Sequence, residues 1–247
     1  MDKKYSLILS FLITALLFSS LYFLSLNSPA KDRKSVIVAR VIDGDTIESS
    51  DGSIIRLLNI NSPEKGTKNS ELSKLYLSKL VNSSVELEIE GKDKYSRILA
   101  RIYTPVYINK ELVSQGLASK FLVSQSELKD FAKAEEEAIN SEKGIWKHSD
   151  YYGCFSTQIN KYEDYVLIRN TCGNINMLGW TLKDESRKIY IFRNISIGKL
   201  TLSSSLGKDN STNLFWNSKT SIWNNDRDTL YLFDREGGIA HHESYGY

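Results

Sequence analysis

Residues 41–64 read VIDGDTIESSDGSIIRLLNINSPE. Apolar and β-branched residues run between two turn signals, Asp43-Gly44-Asp45-Thr46 and Ser50-Asp51-Gly52, so the segment predicts short strands joined by tight turns. Arg56 falls inside the apolar run Ile54, Ile55, Leu57, Leu58. A cation buried there needs a partner or a ligand, and a structural salt bridge or an anion site would each satisfy it. Pro63 ends the run and fixes the turn that presents Glu64. A carboxylate for a cation at Asp45, a guanidinium for a phosphate at Arg56 and a carboxylate for a water proton at Glu64 together make a pattern suited to phosphoryl transfer.

The residues that follow extend the β-rich reading. A helix is expected from Asn69 or Ser70, with Leu72, Leu75, Tyr76 and Leu80 on its apolar face. Val85, Leu87 and Ile89 alternate with Glu86, Glu88 and Glu90, the pattern of a half-buried strand whose glutamates form a solvated face. Asp93 to Arg97 is a second charged turn, and it delivers Arg97 at the mouth of the apolar strand Ile98 to Tyr103. Leu112, Val113 and Leu117 predict a short helix, and Ser126 to Lys143 a longer one burying Leu128, Phe131, Ala132, Ala138 and Ile139. Gly144 suits a helix C-terminus, with Ile145-Trp146 as an anchor beyond it.

Upstream, Ser6 to Leu26 is uncharged and apolar, follows Lys3 and Lys4, and is long enough to cross a bilayer. It predicts export. Ser28-Pro29-Ala30 offers small residues for cleavage, but the apolar run exceeds a usual signal core, so a retained anchor with an extracytoplasmic remainder is preferred over a secreted product. Lys31, Arg33 and Lys34 weaken any orientation argument from positive charge.

The chain has 247 residues, 41% of them hydrophobic and 25% charged, with a formal net charge of +2. That length suits two domains of ordinary size plus a short segment, and the balance excludes a broad basic field or polybasic tail. Any anionic partner must be gripped locally. The two cysteines, Cys154 and Cys172, both lie in the second half. Without CxxC spacing or a nearby histidine, a structural disulfide is favoured over a metal or redox pair in an exported chain.

DGDT at 43–46, RLLNINSPE at 56–64, DKYSR at 93–97, LVSQGLA at 112–118 and KGIW at 143–146 occur in order and together resemble the staphylococcal nuclease (thermonuclease) family. The resemblance covers about residues 35–148 and implies a five-stranded OB-type barrel with packed helices. It implies Ca²⁺ ligands at Asp45, Asn61 and the Ser62 carbonyl, a general base at Glu64, and a phosphate clamp of Arg56 and Arg97. Asp43 would support the turn, and Lys94 and Tyr95 would lie beside the nucleotide. The activity implied is hydrolysis of DNA or RNA phosphodiesters to a 3′-phosphate product. Several positions depart from that pattern. Asn61 stands where the family has aspartate, so calcium is expected to bind more weakly, or another divalent ion to serve. Ser96 replaces a glycine, and a shorter segment after Glu64 suggests more open access for substrate. The tyrosines that stack on substrate after LVSQGLA are not reproduced, with Phe121 a substitute at best.

From Tyr151 the texture changes to short β runs at 165–169, 188–192, 199–202 and 229–233, separated by turn clusters. DYVLIRNTCGNINMLGWTLKDES, TNLFWNS and IWNNDRDTLYLFDREGG resemble a lamin-tail domain, which implies an immunoglobulin-like β-sandwich. Trp180, Trp216 and Trp223 read as packing residues before binding ones, and Asp226 and Asp228 as turn residues before cation ligands. The organisation expected is therefore an anchor or signal over 1–34, a nuclease-like barrel over 35–148 and a sandwich over 149–247. The whole would be mostly β with some α. Its partners would be DNA or RNA, a membrane through the N-terminal segment, and an unknown ligand of the sandwich. The rival reading is a nucleic-acid or envelope binding protein whose barrel has lost catalysis. Retention of both arginines and Glu64 argues against it.

Overall fold

A computed structural model describes residues 32–66, 69–186 and 188–247. The apolar segment Ser6 to Leu26 lies outside the described residues. Among those described, no helix is long and apolar enough to cross a membrane.

Five strands, β1 (Lys34–Asp43), β2 (Thr46–Ser49), β3 (Ile54–Leu57), β5 (Ser84–Lys92) and β6 (Ile98–Tyr103), close into a barrel in the order β1-β2-β3-β6-β5. Their inward residues Val38, Ile47, Ile55, Leu87 and Ile102 are fully or almost fully buried. The five-stranded barrel expected from the sequence is thus present. The pairing of β3 with β6 is parallel and sets Arg56 opposite Leu99. A two-residue strand β4 (Ile60–Asn61) pairs with β7 (Ser119–Lys120), Asn61 facing Ser119. Three helices pack on the barrel: α1 (Ser70–Ser78), α2 (Ile108–Ser114) and α3 (Leu128–Asn140).

Two expectations change here. Leu72 and Leu75 are exposed, and α1 instead buries Ser70, Ser73 and Leu77. The cause is a close approach: a Cβ on Gly44 would lie 2.6 Å from the Ser73 Cβ, so only a small residue on that helical face lets α1 meet the 43–46 turn. The glutamates of β5 are not a uniformly solvated face either. Glu88 is buried, and both it and Glu90 pair with Arg101 of β6, at 3.2 and 2.7 Å. Arg101 also meets Glu127 at 2.7 Å, so desolvation of this guanidinium is offset by three carboxylates.

Gly116 and Gly144 explain why two distant motif pieces belong together. Both have positive φ (64° and 55°), and a Cβ on either would strike the other's backbone or its neighbour's at close to 2 Å. The Ile145 N–H donates to the Gly116 carbonyl at 2.8 Å. Gly144 therefore opens a short 3-10 turn, Gly144–Trp146, rather than ending α3.

The second half forms two four-stranded sheets. One runs β11 (Ile189–Ile191), β10 (Thr181–Lys183), β14 (Asp228–Phe233), β15 (Ile239–Tyr245). The other runs β13 (Asn213–Phe215), β12 (Lys199–Ser203), β9 (Tyr165–Asn170), β8 (Phe155–Asn160). Val166, Ile168, Leu200 and Leu202 from one sheet and Leu182, Leu230, Leu232 and Ala240 from the other share a single core. Trp180 and Trp223 are buried in it, in keeping with a packing role. Cys154 and Cys172 are joined as a disulfide, Cα–Cα 5.2 Å.

Barrel and sheets meet across a mixed junction. Ala138, Ile139 and Trp146 form one buried cluster with Tyr231 and Ile239, and the Trp146 ring stacks on Tyr231 at 5.2 Å. Beside it Glu135 of α3 receives the Tyr231 hydroxyl at 2.9 Å on each oxygen and pairs with Lys120 of β7. Trp146 is an anchor as expected, and its mooring is the second half of the chain.

Candidate active site

The 43–46 turn places Asp45 immediately before β2, where it is buried. Its Oδ2 accepts the Ser62 N–H and hydroxyl, both at 3.1 Å, and its Oδ1 accepts the Thr46 hydroxyl at 2.8 Å. Asp43 caps the same turn by accepting the Gly44 N–H at 2.8 Å. Because Thr46 pairs with Arg56 across β2 and β3, the antiparallel register brings the guanidinium back to the turn. Arg56 Nη2 lies 3.1 Å from Asp45 Oδ2, 3.4 Å from Asn61 Oδ1 and 2.8 Å from the Ile60 carbonyl, while Nη1 donates to the Leu57 carbonyl. A positively charged nitrogen is thus held where the oxygens of Asp45 and Asn61 converge.

Asp45, Asn61 and the Ser62 carbonyl offer hard oxygen donors of the kind calcium takes, and two of them already converge on a cation. Only one is a carboxylate, and no group of three or more His, Cys, Asp or Glu suited to a metal occurs among the described residues. The donor chemistry fits calcium, with a lower charge than a two-carboxylate site.

Arg97 precedes β6 and reaches the same region through the parallel β3–β6 pairing. Its Nε lies 2.7 Å from Asp93 Oδ2. Despite its desolvation, the Asp93 carboxyl is held below the usual carboxylate range by hydrogen bonds from Arg97 and Tyr95. Ser96, in the glycine position noted above, takes φ 65°, which shows why glycine suits that site. Arg56, Asn61, Asp93, Arg97, Phe121 and Lys188 are among the residues bounding one cavity of about 570 Å³. Its size is that of a small-ligand site.

Asn61, Ser62 and Glu64 bound an adjoining cavity of about 230 Å³ together with Thr181, Lys183 and Ser186 of the second half. Desolvation pulls the Lys183 ammonium below the ordinary lysine range, opposed by the carboxylates of Glu135, Asp184 and Glu64. Residues of the second half therefore line the cavity beside Glu64. Lys94 and Tyr95 do not bound either cavity. Tyr95 is exposed, with the Lys94 ammonium 5.0 Å and the Arg97 guanidinium 5.5 Å from its ring centre. Asn61 completes the picture: its Nδ2 donates to the Ser186 carbonyl at 3.0 Å. Nothing in the sequence pattern of residues 181–188 marks Lys183, Ser186 or Lys188 as neighbours of the 41–64 segment.

A closed five-stranded barrel with a buried carboxylate, Asp45, and two arginines, Arg56 and Arg97, bounding one cavity is an OB-type arrangement. The profile of staphylococcal nuclease homologues matches residues 54–148. An uncharacterized endonuclease of Haemophilus influenzae is 33% identical over 141 residues, covering 55% of this chain and 77% of that protein. A thermonuclease of Staphylococcus intermedius is 32% identical over 129 residues, 46% of this chain and 77% of that protein. Endonuclease YhcR of Bacillus subtilis is 30% identical over 139 residues, although these span 11% of its own length. The chain belongs to the family of staphylococcal nuclease homologues.

Proposed function

We propose that the protein is an exported or membrane-anchored, calcium-dependent nuclease that hydrolyses phosphodiester bonds of DNA, RNA or both. The second half is, in this reading, a lamin-tail-like sandwich of immunoglobulin type whose own ligand is a separate matter. The observation that carries the reading is the convergence of Asp45, Asn61 and Arg56 at one point, with Arg97 on the same cavity. Arg56 and Arg97 donate to the non-bridging oxygens of the scissile phosphate, where charge gathers in the transition state. Glu64 takes the proton of the attacking water. Asp45, Asn61 and the Ser62 carbonyl would hold calcium, which supplies charge neutralisation and Lewis-acid polarisation of a phosphate oxygen when bound.

The test is cleavage of single-stranded DNA, duplex DNA and RNA by the protein with calcium, then with a chelator. Cleavage that the chelator abolishes is expected. No cleavage under any divalent ion would leave the binding-protein reading in its place.

Asn61→Asp separates two roles of one side chain. A second carboxylate should tighten calcium binding in a direct titration. The same change removes the donor to the Ser186 carbonyl, at a cost to folding stability of about 1–3 kcal/mol. An unchanged calcium titration would take Asn61 out of the cation site, and unchanged urea unfolding would deny the cross-junction bond any weight.

A further inference from the structure

The cleft holding the two arginines is not built by the barrel alone. Ser186 and Lys188, from the connection between β10 and β11, bound it on the side of the second half. These residues are tied down from both directions. Asp184 Oδ1 accepts the Ser186 N–H at 3.0 Å and the Lys188 N–H at 3.2 Å. The neighbouring Glu185 N–H donates to Asp228 at 3.3 Å, and its carboxylate receives the Tyr247 hydroxyl. On the barrel side, the Ser186 carbonyl is held by the Asn61 amide at 3.0 Å. The Lys188 backbone is thereby held beside the cavity that Arg56 and Arg97 also bound. The Lys188 Nζ donates to the Ser221 carbonyl. An ammonium has three donors, so that bond leaves capacity for an anion. The acid on the same cavity, Asp93, is engaged by Arg97.

We propose that Lys188 is a second phosphate-binding position of the cleft, supplied by the sandwich, which takes a backbone phosphate of the substrate strand next to the one gripped by Arg56 and Arg97. The inference rests on the nuclease reading. A nucleic-acid strand repeats its charge at every nucleotide, so a lysine beyond the scissile phosphate adds affinity only for substrates long enough to reach it. Lysine suits this role as a point charge that needs no bidentate geometry. The sandwich would then favour longer strands over short ones, as an integral wall of the site.

The experiment uses the full chain with Lys188→Ala and Lys188→Arg. Steady-state kinetics are measured on a dinucleotide, which has one phosphodiester, and on a single strand several nucleotides long. Binding of the longer strand is followed by fluorescence anisotropy across a salt series in a Glu64→Gln background. Lys188→Ala should raise KM for the longer strand about tenfold, the weak end of a charge-assisted hydrogen bond, with kcat unchanged. It should leave the dinucleotide unaffected and lower the salt slope of binding by about 0.7. Lys188→Arg should restore both. Equal losses on the two substrates, or none on either, would overturn the proposal. If the parent protein cleaves neither substrate, the nuclease reading fails, while the anisotropy series still decides whether Lys188 contacts a strand.

Discussion

Glu64→Gln is expected to lower the turnover of phosphodiester hydrolysis by about 10²–10⁴, the usual contribution of a positioned general base. The substitution keeps side-chain shape and volume, exchanges one acceptor oxygen for a donor amide, and removes the charge and the ability to take up a proton. Glu64 lies just beyond Pro63, between the oxygen-rich turn and the wall that Thr181, Lys183 and Ser186 provide. Its removal as a charge takes one carboxylate from the surroundings of Lys183, but Glu135 and Asp184 remain to support that ammonium. Folding should therefore survive, and thermal unfolding close to the parent value is the control. Arg56→Lys is a less clean test of the chemistry. Arg56 holds Asp45, Asn61 and the carbonyls of Leu57 and Ile60 at once, so lysine would loosen the turn as well as lose the fork. Turnover within a few-fold of the parent for Glu64→Gln would remove the general-base assignment.

How far the site could be read from the chain depended on the reach of each contact. Asp45, Arg56 and Asn61 lie within 17 residues, joined by an antiparallel register and a turn; local turn signals grouped Asp45 with Arg56, while Asn61 came from the resemblance. Arg97 arrives through a parallel pairing with β3, which periodicity does not specify; a resemblance in motif order supplied it. The alternating glutamates of β5 showed a face but not what covers it, so the Arg101 network was invisible. Leucine spacing misassigned the buried face of α1 because the close approach of Gly44 to Ser73 outweighs the apolar stripe. Lys183 and Lys188 flank a hairpin with the composition of a solvated turn, and only the packing of the second half against the barrel sets them along the two cavities. That junction also sets Thr181, Lys183 and Ser186 beside Glu64.

Glu135→Ala is expected to destabilise the protein by about 3–5 kcal/mol, the cost of breaking a buried ion pair by removing one partner. Glu135 and Lys120 are 1% and 2% exposed, so solvent screens neither. The Glu135 carboxylate also receives the Lys120 backbone N–H at 2.8 Å and the Tyr231 hydroxyl at 2.9 Å, so alanine would leave three donors without this acceptor. The Lys120 ammonium would keep the Ser244 hydroxyl at 3.1 Å, the face of Tyr247 at 4.6 Å and the more distant charges of Glu185 and Glu136, but its direct carboxylate contact, with Glu135, would be gone. Lys120 belongs to β7, whose partner strand β4 contains Asn61, so the loss should reach the cleft as well as the junction. Urea unfolding monitored by tryptophan fluorescence reads the stability, and calcium titration reads the cleft. A double variant, Lys120→Met with Glu135→Leu, removes both charges and should recover most of the loss, since a well-packed apolar pair often equals or exceeds a buried ion pair. A single-variant cost below about 1 kcal/mol would place the pair among screened surface bridges, against its burial. Recovery of stability without recovery of calcium binding would instead separate the junction from the cation site.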